Sequence, residues 1–124
     1  MTDELTKQIA NIFFAVAKAD KKLSFEEYVK ISEVLDKKWK HVVNIDIKLL
    51  KEHFNDLQKK NEPASECFDN FVKFLGKNPT IFTAELKALI LSSANAIAHA
   101  SSKLNKSELV YIAKLDLEMK KLSQ

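Results

Sequence analysis

The carboxylates Asp20 and Glu27 stand seven residues apart in the run Ala17-Lys18-Ala19-Asp20-Lys21-Lys22-Leu23-Ser24-Phe25-Glu26-Glu27. Ser24 precedes Glu27 by three, the spacing at which a hydroxyl and a carboxylate reciprocally satisfy the first free amides of a helix. Asn105 and Glu108 repeat that arrangement near the other end of the chain. Helix capping is therefore one chemistry open to Glu27 and Glu108, and Asp20 reads as a helix-ending residue that bonds its own loop. An EF-hand is excluded, because its calcium loop needs acidic or amide side chains at alternating positions around a central Gly.

Other reactive side chains are scattered. His41, His53 and His99 show no zinc-type spacing, and only His99, one turn before the second loop, is placed to reach a loop site. Cys67, the single cysteine, has no neighbouring histidine to activate it and reads as a small apolar helix residue. Trp39 lies among Lys37, Lys38, Lys40 and His41, where an aromatic ringed by cations could meet an anion, a membrane or an acidic partner, or fold back over the edge of the core. No Gly-rich phosphate cradle and no supported acid–base pair can be assembled, so an enzyme is not expected.

The elements that must position these groups are helical. One Gly and two Pro in 124 residues leave little material for the tight turns of a β fold, and 46% hydrophobic content suits one domain with one core. All 20 basic residues are lysines against 17 acidic ones, a net charge of +3. That balance describes a solvated surface, and without arginine's bidentate fork a nucleic-acid partner is not expected. A lone cysteine fits a reducing compartment, the apolar run Ile9 to Ala17 is too short for a bilayer, and no signal-type charge precedes it; a cytoplasmic protein without a membrane partner is expected.

Apolar periodicity predicts six helices. The first, from about Thr2 to Ala19, is apolar nearly all round; the second runs from Ser24 to about Lys37. Ile47, Leu50, Phe54 and Leu57 mark the third, ending near Lys60. The fourth opens after Pro63, carries Phe68, Phe71, Val72 and Leu75, and is expected to close on Gly76 as a left-handed cap. The fifth, roughly Pro79 to Ala100, is expected to mirror the first, and the sixth opens at Asn105.

At an offset of 81, residues 2–35 and 83–116 match at twelve of 34 positions without a gap, among them Leu5/Leu86, Ile9/Ile90, Ala17/Ala98, Leu23/Leu104, Glu27/Glu108 and Ile31/Ile112. Composition alone would supply roughly two or three. Two copies of a helix-loop-helix unit, related by a pseudo-two-fold, with residues 36–82 as a helical insert, are expected to form a single domain over 1–124. The alanines around Ala15-Ala17-Ala19 and Ala96-Ala98-Ala100 would mark the crossing of the two central helices, since small side chains permit close approach.

The duplicated loop resembles that of the TerB-like family, which includes tellurite-resistance TerB proteins and the N-terminal domain of DjlA-type co-chaperones. Family members carry two copies of Ala-Asp-Gly, three or four residues, then Glu, in an all-α fold. The resemblance covers both copies and implies a divalent-metal site, for an ion such as Ca²⁺, at Asp20, Glu27 and Glu108. This chain has Asp20-Lys21 and Ser101-Ser102 where the family has Asp-Gly. Two or three carboxylates diluted by lysines are few for a hard cation that takes about six to eight oxygens, so a weak or degraded site is implied. The expected function is a non-enzymatic TerB-like binding or adaptor module connected with stress response. The alternative is a protein-interaction domain, of immunity or co-chaperone type, whose loops only cap helices and whose recognition uses aromatics around Trp39.

Overall fold

Helix α1 (Thr2–Lys18) opens with Asp3 and Glu4 and closes with Lys18, charges that oppose the helix dipole at both ends. Every residue from Ile9 to Ala17 is buried. A helix apolar on all sides must be surrounded, and α1 is. The computed structural model describes residues 2–18, 23–100 and 106–122, and within them α1 packs against α3, α4, α5 and α6. The other helices are α2 (Phe25–Trp39), α3 (Ile47–Lys60), α4 (Ala64–Lys77), α5 (Ala84–Ala100) and α6 (Lys106–Lys121), with a 3₁₀ turn at Pro79–Ile81. The fold is all-α, with no strand among the described residues.

Local chemistry accounts for the boundaries. Ser24 and Glu27 form the capping box that starts α2. The Asp46 carboxylate accepts from the amides of Lys48 and Leu49 to start α3. Two boundaries differ from expectation. Gly76 lies inside α4, and the helix instead stops at Asn78, whose backbone N–H and side-chain amide both donate to the Phe74 carbonyl. The left-handed residue is Asn61 (φ 53°), which ends α3 and is the side chain besides Gly that tolerates this conformation best. Likewise α5 begins after Thr83, whose hydroxyl accepts from the Leu86 amide, so Pro79 heads a separate turn.

Aromatic contacts stitch the layers together. Phe14 meets Phe54 edge-on at 5.4 Å, Phe68 lies 5.3 Å from Tyr111, and Phe82 sits against Phe71 and Phe74. Lys18 donates to the Asn61 side chain at 2.7 Å and to the Glu62 carbonyl, fastening the end of α1 to the α3–α4 turn. The expected likeness of α5 to α1 fails in burial: Ala84, Ala88, Ser92 and Asn95 are exposed. The reason is positional, because α3 and α4 both lie on α1, whereas α5 packs on α1, α2 and α6. Of the alanines expected at that crossing, Ala15, Ala17 and Ala98 are buried and Ala96 and Ala100 half-buried, and α1 does pack on α5; Ala19 lies outside the described residues.

Candidate functional site

Of the three carboxylates singled out by the loop pattern, Glu27 and Glu108 fall at helix starts. Asp20 lies outside the described residues. Glu27, in the first turn of α2, is buried, and its Oε1 accepts the Ser24 backbone N–H at 3.1 Å while its own amide donates to the Ser24 hydroxyl at 3.1 Å. Glu108 occupies the corresponding place in α6 and is fully buried. Its expected capping partner, Asn105, lies outside the described residues. Among the described residues no three His, Cys, Asp or Glu side chains converge as a metal cluster would require.

His99 stays on its own helix: its Nδ1 lies 2.7 Å from the Asn95 carbonyl, one turn back, and the side chain is exposed. Cys67 is buried, and burial first, then the nearby Glu62, pushes its thiol up to about 11 against the opposing pull of Lys18. A thiol so placed is not a nucleophile at neutral pH. Trp39 is not a surface aromatic. It is the last residue of α2, 1% exposed, with its indole N–H donating to the Ser93 hydroxyl at 2.8 Å and its ring edge-on to Phe13.

A polar chain that the sequence reading missed runs along α1 to α3. Gln8 donates to Glu4 at 3.0 Å, Asn11 donates to Gln8 at 2.9 Å, and the Asn11 Oδ1 faces His53 Nε2 at 3.3 Å. Because the Asn11 amide is spent on Gln8, its oxygen accepts, which places the proton of neutral His53 on Nε2. The signal for this chain was present as the polar spacing 4, 8, 11 along one face of α1. Burial, then Lys7, lowers the pKa of His53, with Lys60 acting the same way and Asp56 and Glu4 opposing. A folded-state pKa below the unfolded value means the unfolded chain takes up the proton first. Stability is therefore expected to fall as pH drops below about 6.5, levelling once the folded His53 is also protonated. Unfolding midpoints from pH 8 to 5 for the wild type minus those for His53→Gln should show this slope; a flat difference would refute it.

A cleft of about 320 Å³ between α1, the α2–α3 loop and α5 is lined mostly by Leu5, Val42, Ile45, Ile81, Leu86 and Leu89, with Glu85 as its one charged wall. Exposed apolar side chains stand elsewhere: Phe25 and Val29 on α2, Val43 in the loop, and Leu109, Val110 and Leu117 on α6. No described helix is long and apolar enough to cross a membrane. Set against protein-family models, curated proteins and solved structures, the chain matches none.

Proposed function

We propose that this chain is a non-enzymatic binding module of the TerB-like kind, an adaptor that works by contact with another protein. The observation that carries this is the set of apolar side chains left in water on α2 and α6, Phe25, Val29, Leu109, Val110 and Leu117, in a fold whose own core is already closed around α1. A contiguous exposed apolar patch marks a contact site, and Leu109, Val110 and Leu117 share one helix. The TerB-like assignment itself rests on the duplicated loop sequence. Packing agrees with a two-fold in part: α2 lies on α5 while α6 lies on α1, but α6 also packs on α5 with no equal contact of α2 on α1. A role in stress response follows from the resemblance alone, and a cytoplasmic location from the single buried thiol.

A metal-binding version of this reading would use Asp20, Glu27 and Glu108. Against it stands the capping box, which commits one Glu27 oxygen to the Ser24 amide. Thermal unfolding separates the two versions, since an ion that binds the folded state must raise the midpoint. For chelator-treated protein, millimolar Ca²⁺, Mg²⁺ or Mn²⁺ is expected to leave the midpoint unchanged. A rise that Glu27→Gln/Glu108→Gln abolishes would instead make the loop face a divalent-metal site. Any turnover lost in Asp20→Ala or Glu108→Ala would overturn the non-enzymatic reading.

A further inference from the structure

Trp39 sets the orientation of the last turn of α2. Its ring is turned into the core, 1% exposed and bonded to Ser93, and residues 37, 38, 40 and 41 lie about 100° to 160° away from it around a helix. Lys37, Lys40 and His41 are accordingly exposed and Lys38 half-buried. The two carboxylates in the stretch 36–48 are both engaged, Asp36 with Lys51 at 2.6 Å and Asp46 with the amides that start α3. No described side chain pairs with Lys37, Lys38, Lys40 or His41. The corner between α2 and α3 therefore presents three lysines and a histidine with no internal anion.

The chain that leaves this corner forms a wall of the 320 Å³ cleft. Val42 and Ile45 line it together with Leu5 of α1 and Leu86 and Leu89 of α5, while Asn44 and Thr83, both exposed, put an amide and a hydroxyl at its edge. Val43, in the same loop, is 94% exposed. An apolar hollow with a polar edge and a charged flank is the layout of a protein contact site. The cleft stands at the small end of ligand pockets, about 300–1,000 Å³, which suits an anchoring side chain more than a lipid tail or a cofactor.

Other anions fit less well. Nucleic acid calls for an exposed aromatic on which a base can stack, or an arginine for its phosphates; here the aromatic is buried and the chain has no arginine. An anionic membrane is flat, would leave the hollow unfilled and would press against Glu85, the carboxylate on the α5 wall. A protein segment can set its acids along the loop side and turn an apolar residue inward.

We propose that this cleft and the lysines beside it are the docking site for an acidic segment of a partner protein, one large apolar residue of which enters between the α2–α3 loop and α5 while its carboxylates meet Lys37, Lys40 and His41. This deepens the adaptor reading, rests on it, and names the partner's chemistry.

The probe is a synthetic peptide, Glu-Asp-Glu-Asp-Leu-Phe-Ser, acetylated and amidated at its ends. Titrated into ¹⁵N-labelled full chain, it is expected to shift the amides of residues 40–45 and 84–89, with affinity falling roughly tenfold or more in Lys37→Glu/Lys40→Glu and falling also as salt rises. Asn44→Trp, which fills the cleft mouth from an exposed position, is expected to abolish the shifts in 84–89. Peptides with Ser-Ser in place of Leu-Phe, or with lysines in place of the acids, are expected not to bind. Thermal midpoints of the variants show that the fold persists. No shift at millimolar peptide, shifts elsewhere, or equal binding by the lysine peptide would overturn the proposal. A dimer in sedimentation that Asn44→Trp dissociates would assign the cleft to a second copy, and flotation with phosphatidylserine vesicles that is lost in Lys37→Glu/Lys40→Glu would assign the lysines to a membrane; either result overturns it. The metal titration tests the adaptor reading separately, because its readout does not involve the peptide.

Discussion

Replacing Trp39 with alanine is expected to destabilise the protein by about 3–5 kcal/mol, the range for emptying a large aromatic site in a packed core. The side chain is 1% exposed, contacts Phe13 at 5.7 Å and donates to Ser93 at 2.8 Å, so α2 is tied through it to both α1 and α5. Truncation would leave a cavity and also an unmet hydroxyl on Ser93, itself fully buried. Trp39→Phe should lose less, about 1–3 kcal/mol, because most of the volume stays and chiefly the indole donor is lost. Denaturant unfolding followed by circular dichroism reads both. A loss under about 1 kcal/mol for the alanine variant would place Trp39 at the surface and revive it as a recognition residue.

The second large effect is expected at Phe54. It is fully buried, edge-on to Phe14 of α1 at 5.4 Å and tilted against Tyr28 of α2 at 5.9 Å, so one ring joins the insert to both helices of the first unit. Phe54→Ala is expected to cost about 3–5 kcal/mol. Phe25→Ala is the internal control: that ring is 79% exposed, and its removal should change stability by no more than about 0.5 kcal/mol. Equal effects at the two sites would mean that α3 is not held against α1 and α2 as described.

What could be read from the chain without coordinates was the chemistry of near neighbours. The Ser24/Glu27 capping box was legible because both partners lie within one turn, and the periodicity of Ile47, Leu50, Phe54 and Leu57 marked α3 for the same reason. Gly76 misled because a glycine permits a left-handed cap without requiring one, while Asn78 two residues on offers both a backbone and a side-chain donor to Phe74. Asn61 was passed over although asparagine is the next most tolerant residue. Of the loop carboxylates, the positions of Glu27 and Glu108 at helix starts were legible, whereas the depth of their burial was not.

Trp39 shows most directly where sequence reasoning stops. Its lysine neighbours left open a cationic contact site or a ring folded back over the core edge; the ring is in the core, and its environment is supplied by Phe13 and Ser93, far away in sequence. The same holds for the two apolar helices, which have similar sequences but different coverage because α3 and α4 pack chiefly on α1. The six helices and the Ser24/Glu27 cap were readable because they follow from contacts three and four residues apart, and the sequence repeat from aligned identities. Which apolar faces are closed and which stay open on α6 was not readable from the chain, because burial depends on what distant segments bring to a face, and no local spacing encodes that.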